Sequence, residues 1–229
     1  MLGDDSRRLI KWAARKAPVA VDLKRFPSLF QLQMSDLTMV RRRAFIDNIR
    51  IARFAGSAIG DLVECGTWRG GMSAAMAWAM PGRHSVLFDS FQGLPDAKPI
   101  DGATALHWSK EVRDYENCRA DEAWARVAME RVRQSDYEIL KGWFADTVPR
   151  WAQMQRPIAV LRLDGDWYDS TLICLEHLWP LVSPGGVVIV DDYYTWDGCS
   201  RAVHDYLSRL SAPERVAQSR HGVAYLVRK

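Results

Sequence analysis

Four short apolar runs in this chain each stop at or beside a carboxylate. Asp61 to Cys65 carries Glu64, His84 to Phe88 closes on Asp89, Ile158 to Leu163 on Asp164, and Val187 to Val190 on the pair Asp191-Asp192. A nearly continuous apolar run of this length suits a strand buried on both faces, and sheets buried that way are mostly parallel and covered by helices. In such sheets ligands bind beyond the carboxyl ends of the strands. One acidic residue at a strand end is often only a helix cap or a turn residue. Four such ends together point to one functional site.

The segments between these runs support the same architecture. Residues 39 to 54 repeat Phe45, Ile49 and Ala52 at helical spacing, and Gly56 and Gly60 follow. The first strand runs into Gly66-Thr67-Trp68-Arg69-Gly70-Gly71; an apolar helix from about Ser73 to Met80 stops at Pro81-Gly82, and the second strand follows. Strand, glycine turn, helix and strand in about 30 residues outline a nucleotide-binding βαβ unit. A helix is expected at 121 to 133 and a strand over Tyr137 to Leu140. Leu172, Leu175 and Leu178 space another helix ended by Pro180, Pro184-Gly185-Gly186 reads as a turn, and residues 201 to 210 form a last helix. Val216 to Gln218 and Val223 to Val227 close the sheet as a hairpin around His221-Gly222. The expected fold is therefore α/β, a mostly parallel sheet with helices on both faces and a C-terminal hairpin. It forms a single domain over 37 to 229, after an N-terminal arm over 1 to 36.

Composition bounds the function. Hydrophobic residues at 48% and charged residues at 26% allow an ordinary globular core, and a net charge of +3 is too small to imply a nucleic-acid partner. Cys65, Cys118, Cys174 and Cys199 form no CxxC pair, which favours reduced thiols over a zinc site. The polar start, Met1-Leu2-Gly3-Asp4-Asp5, and the lack of a long apolar run lead us to expect a cytoplasmic protein without stable membrane insertion. The arm carries Arg7-Arg8, Lys11-Trp12 and Arg15-Lys16 before Pro18 and Pro27. Its expected roles, in order, are to cap the active site, to join a dimer interface or to touch a membrane.

The glycine turn is neither GxGxxG nor a Walker loop, which removes the main support for a kinase or ATPase. Gly66, Gly70 and Gly71 admit close backbone approach, and Glu64 before them would repel a pyrophosphate but could bind an ammonium group, directly or through water. Asp89, 19 residues beyond Gly70, is placed to take hydrogen bonds from ribose hydroxyls, which suits an adenosine-containing ligand. Asp191 and Asp192 lie 27 and 28 residues after Asp164. If their strands are neighbours, three carboxylates converge and repel unless a cation holds them. Oxygen-only ligation favours a hard ion such as Mg²⁺. Asp166 either joins them or braces the loop. A hard cation beside an adenosine site suits a substrate hydroxyl whose pKa must fall before it attacks.

The run Leu62-Val63-Glu64-Cys65-Gly66-Thr67-Trp68-Arg69-Gly70-Gly71 resembles the first motif of the macrocin O-methyltransferase family. Phe88-Asp89-Ser90-Phe91-Gln92-Gly93-Leu94-Pro95 and Lys141-Gly142-Trp143-Phe144-Ala145-Asp146-Thr147 resemble its second and third motifs. Leu161 to Thr171 and Pro184 to Tyr193 complete the pattern, so the similarity covers about 36 to 228. The resemblance implies a Rossmann-like class I methyltransferase fold. It also implies methyl transfer from S-adenosylmethionine, with Mg²⁺, to a hydroxyl of a sugar or other natural product, as in antibiotic biosynthesis. By resemblance Glu64 lies near the methionine part of the cofactor, with Gly66, Thr67, Gly70 and Gly71 in the turn beside it. Asp89 and Ser90 lie at the ribose, and Trp143 borders the adenine unless it is a core aromatic. Asp164, Asp191 and Asp192 take the metal, and Asp164 also has the place of the family's general base. A homo-oligomer, most simply a dimer, is expected by the same analogy. The lid insert over 96 to 119, with His107 and Trp108 near its middle, does not align with the antibiotic enzymes, so the acceptor stays open.

Three other readings compete. A nicotinamide-dependent oxidoreductase lacks its glycine spacing and leaves the aspartates unexplained. A metal-dependent hydrolase would use the same cluster to activate water. A non-catalytic binding protein of this fold would be expected to have lost Asp164 or Asp192, and both are present.

Overall fold

The computed structural model describes residues 34–111, 117–211 and 214–229. The arm's basic residues and its two prolines lie outside them, as do 112–116 of the expected lid. In chain order the main elements are α1 (Arg42–Ala52), β1 (Asp61–Cys65), α2 (Gly71–Ala79), β2 (Ser85–Asp89), α3 (Ala103–Glu111), α4 (Glu122–Arg131), β3 (Tyr137–Lys141), α5 (Phe144–Ala152), β4 (Ile158–Leu163), α6 (Tyr168–Leu178), β5 (Val182–Val190), α7 (Asp197–Leu207), β6 (Ala217–Gln218) and β7 (Ala224–Val227).

The seven strands form one sheet in the order β3-β2-β1-β4-β5-β7-β6. The first five are parallel, and β7 pairs antiparallel with both β5 and β6. Strand order reverses between β1 and β4, where a crevice opens at the carboxyl ends of an α/β sheet. Register sets the site. Cys65 lies opposite Leu163, which lies opposite Val190, so the residues that follow β4 and β5 emerge side by side. The expected neighbourhood of Asp164 with Asp191-Asp192 follows from that pairing.

Two apolar layers sandwich the sheet. One face packs Phe45, Ile49, Met72, Met76, Val127 and Met129, from α1, α2 and α4. The other packs Val148, Trp151, Leu175, Leu178 and Val203, from α5, α6 and α7. The six residues of β4 are all buried, in keeping with its central position.

The structure differs from the sequence reading in three places. Pro184-Gly185-Gly186 is not a turn but part of β5, where the register to β4 slips. Gly185 donates its N–H to the Arg228 carbonyl and Gly186 accepts from the Arg228 N–H, both at 2.8 Å, so pairing with the residue that follows β7 carries the glycines along. Residues 144 to 152 form a helix despite Pro149, with Val148 and Trp151 buried in the layer against the sheet. The expected long loop contains a 3₁₀ turn at Pro99–Asp101 and helix α3. The four cysteines are free, and among the described residues no helix is long and apolar enough to cross a membrane.

Candidate active site

A cavity of about 470 Å³ opens at the switch point. Its floor is the β1 turn (Gly66 to Trp68), the end of β2 (Asp89-Ser90), the start of α5 (Gly142 to Ala145) and the loops after β4 and β5. Leu37 to Val40 and Gly93 to Pro95 close it from outside.

Of the three turn glycines, only Gly66 borders this cavity. Its φ is +96°, and a Cβ there would lie 1.7 Å from the Asp164 carbonyl oxygen. A Cβ on Gly70 would lie 2.8 Å from Ala125 Cα in α4, and one on Gly71 would lie 2.4 Å from the Leu37 carbonyl oxygen. That carbonyl already accepts the Gly71 N–H at 2.9 Å. Gly70 and Gly71 are therefore required by packing of the chain on itself, a reason that the ligand-approach reading did not contain.

Asp89 faces the cavity but also shapes it. One carboxylate oxygen accepts the Trp68 N–H at 2.7 Å and the other accepts the Phe91 N–H at 2.6 Å. Trp68 (φ 49°) and Phe91 (φ 56°) are both left-handed, so the carboxylate compensates two backbone positions that L-residues disfavour. Burial raises the Asp89 pKa against these hydrogen bonds. Each oxygen keeps a second lone pair for a ligand hydroxyl. Thr67 and Ser90 brace the same turn, donating to the carbonyls of Phe88 and Gly93 at 3.3 and 3.2 Å. Trp143 is 38% exposed on the cavity wall, which rules out the core-aromatic alternative.

Arg162 organises the acidic floor. Its side chain is fully enclosed on β4 yet ion-pairs with Glu64 (2.7 Å), Asp164 (2.7 Å) and Asp191 (2.6 Å), while its Nε donates to Asn48 at 3.0 Å. Burial alone would lower its pKa, but Asp164, Asp191 and Glu64 hold it well above the usual value. Glu64 is buried between Arg162 and the hydroxyl of Ser73, and burial pushes its pKa up to about 7.

The carboxylates that meet are not quite the expected set. Ligand-capable oxygens of Asp164, Asp166 and Asp192 lie within 4.8 Å of one another, whereas Asp191 turns to Arg162. Asp166 enters the group because it is left-handed (φ 57°) and its Oδ1 accepts the Trp196 indole N–H at 2.9 Å. Burial and the charge of Asp164 raise the Asp166 pKa to about 7. Asp192 is raised well above the carboxylate range by burial and by Asp166 and Asp164, and its Oδ2 is buried without a hydrogen-bond partner. Asp166 and Asp192, both resisting ionisation beside Asp164, and the unpartnered buried oxygen of Asp192 form with it a donor set that fits a hard divalent cation.

Against known proteins, the profile of the macrocin-O-methyltransferase (TylF) family matches residues 33–223. The chain belongs to the macrocin-O-methyltransferase family. It is 39% identical over 173 residues to the 8-demethyl-8-(2,3-dimethoxy-alpha-L-rhamnosyl)-tetracenomycin-C 4'-O-methyltransferase of Streptomyces olivaceus, a match covering 69% of this chain and 62% of that enzyme. It is 36% identical over 174 residues to the mycinamicin III 3''-O-methyltransferase of Micromonospora griseorubida, covering 72% and 67%. Among solved structures, the O-methyltransferase NovP superposes with a TM-score of 0.71 at 30% identity, over 84% of this chain and 82% of that one.

Every site residue described above falls inside the span matched to the macrocin-O-methyltransferase family. Sequence reasoning missed Arg162 as a site residue, although a lone arginine in an otherwise apolar buried strand was the signal, since a buried charge demands partners. Trp196 carried no local signal. His107 lies away from the cavity, 72% exposed and paired with Glu111 one helical turn on, as a solvated lid residue would be.

Proposed function

We propose that this protein transfers the methyl group of S-adenosylmethionine to a hydroxyl of a sugar or other natural-product acceptor, with a divalent cation, Mg²⁺, bound at the acidic group. The observation that carries this reading is the acidic group of Asp164, Asp166 and Asp192, with the unpartnered Asp192 oxygen, beside a cavity at the switch point. Family membership and relatives named for O-methylation of glycosylated natural products support it.

The cofactor supplies an electrophilic methyl on sulfur, and the chain's residues hold it. Asp89 and Ser90 offer acceptors for the ribose, and Thr67 with the Gly66 backbone borders the path between ribose and sulfur. Gly70 and Gly71 support this turn from behind. Glu64 accepts the ammonium end; both its oxygens are engaged by Arg162 and Ser73, so it acts through a remaining lone pair or one water. Trp143 offers a flat wall to the adenine.

The cation supplies charge that stabilises a developing oxyanion and fixes its position. Asp164 and Asp192 belong to both the expected and the observed arrangement and are the proposed principal ligands. Asp166 presents the third carboxylate as the structure stands; Asp191, held by Arg162 through Oδ1, is the other candidate through its second oxygen. Asp164 also stands as proton acceptor for the hydroxyl, its Oδ2 held by Arg162 so that the other oxygen is the one presented. The proposed assembly is a homodimer, which light scattering tests: a particle of 26.1 kDa at high concentration would defeat it.

Calorimetry with S-adenosylhomocysteine tests the cofactor reading. The wild-type chain is expected to bind and Asp89→Ala to bind at least about tenfold more weakly, since hydrogen bonds to a charged acceptor contribute roughly 1.5–3 kcal/mol. Absence of binding by the wild type would remove the methyltransferase reading, and equal affinity in the variant would remove Asp89 from the ribose.

A further inference from the structure

Three tryptophans pack edge to face beside the acidic group: Trp108 from α3, Trp167 after β4 and Trp196 after β5. Their ring centroids are 5.9 Å (Trp108–Trp167), 6.1 Å (Trp108–Trp196) and 5.2 Å (Trp167–Trp196) apart. Edge-to-face packing of this kind fixes ring orientation as well as burying area. It fixes here an indole N–H that reaches the acidic group, from Trp196 to Asp166.

The segment before α3 is anchored to the same two loops. The Trp167 indole donates to the Pro95 carbonyl at 2.8 Å. The buried Asp101 accepts the backbone N–H of Tyr168 at 2.7 Å. Gly102 and Gly198 have no room for a side chain, because a Cβ on the first would lie 2.5 Å from Asp197 Oδ2 and one on the second 2.2 Å from Asp101 Oδ1. The helix read from sequence as part of a lid is thus docked onto the loops that carry Asp166 and Asp192.

We propose that Trp196 is a positioning residue for the cation site: its indole N–H holds Asp166 in its left-handed conformation with the carboxylate turned to Asp164 and Asp192, and Trp108 of α3 braces the ring that does so. The proposal rests on the cation reading above. Without the N–H, the carboxylate loses the partner that orients it, and the disfavoured φ of Asp166 has less to hold it. Groups behind a metal's ligands commonly act this way, by fixing ligand orientation.

The test is Mn²⁺ binding, followed by calorimetry and by the electron paramagnetic resonance of the free ion, with no acceptor needed. Trp196→Phe keeps a ring and removes the donor; it is expected to weaken Mn²⁺ binding about 10–100-fold while leaving S-adenosylhomocysteine affinity unchanged. Trp179→Phe, at a buried tryptophan that packs on Tyr206 and does not line the cavity, is expected to leave Mn²⁺ affinity unchanged. Wild-type Mn²⁺ affinity in Trp196→Phe, with binding abolished in Asp192→Asn, would overturn the proposal and leave the cation reading standing. Wild-type affinity in Asp192→Asn would overturn both. If Trp196→Phe no longer binds S-adenosylhomocysteine, Trp108→Leu carries the test, since it removes the brace and keeps the donor. A loss of Mn²⁺ affinity there supports the proposal, and an unchanged affinity overturns it.

Discussion

Asp192→Asn is expected to lose cation affinity by more than the roughly 10–100-fold that follows loss of a group behind a metal ligand, with S-adenosylhomocysteine binding intact. The substitution keeps shape and removes charge. In the chain without a cation, Asp192 is crowded by Asp166 and Asp164 and has a buried oxygen with no partner, so its charge is a liability there. The expected result therefore has two signs. In chelator the variant melts at or above the wild-type temperature, because a repelled buried carboxylate has become neutral. With excess Mg²⁺ the wild type gains melting temperature by linkage and the variant does not. Thermal melts with and without Mg²⁺ read both. A variant that is less stable in chelator yet keeps its Mg²⁺ shift would show that Asp192 is structural. Asp166→Asn and Asp191→Asn, run beside it, separate the observed carboxylate group from the one expected by resemblance. The greater loss of Mg²⁺ response is expected in Asp166→Asn, and the reverse would mean that Asp191 and not Asp166 completes the cation site.

Arg162→Met is expected to be the most destabilising single substitution in the site, by about 3–5 kcal/mol, or roughly 6–20 °C in melting temperature for a domain of this size. The methionine fills much of the volume, but Glu64, Asp164 and Asp191 lose their shared cation, and Glu64 is buried with only Ser73 left to it. Breaking one end of a buried ion pair leaves an uncompensated charge, which costs more than the pair itself contributes. Asn48→Ala removes the hydrogen bond from Nε and the amide's own bond to the Ala44 carbonyl, and is expected to cost less, about 2 kcal/mol. A denaturant series on both variants checks the ranking. A mild effect in Arg162→Met would mean that the carboxylates take up protons and that the guanidinium is not what keeps them together.

Much of this architecture is legible in the residues. The period-3.6 spacing of Phe45, Ile49 and Ala52, the run at 158 to 163 that is apolar but for Arg162, and the apolar run at 187 to 190 locate helix and strands because backbone hydrogen bonding and burial leave local signatures. The spacing of Asp164 from Asp191 and Asp192 acquired meaning once two such runs were taken as neighbours, and the β4–β5 pairing makes them so. Helix α5 and the extension of β5 through Pro184-Gly185-Gly186 were not legible. Pro149 and the glycines argue locally against those elements, and sheet contacts outweigh them.

By itself, then, the sequence determined an α/β chain with parallel strands, a glycine turn after the first, and acidic residues at the ends of several, because periodicity and burial are written along the chain. Only the tertiary structure decided which acidic side chains share space. Asp166 and not Asp191 stands with Asp164 and Asp192, since a guanidinium from the middle of β4 claims Asp191 and an indole from beyond β5 claims Asp166. It also decided that Gly70 and Gly71 are glycine for the sake of α4 and Leu37. Strand and helix propensities act over a few residues, whereas a carboxylate's direction depends on whichever donor the fold brings within about 3 Å of it, from any distance in sequence.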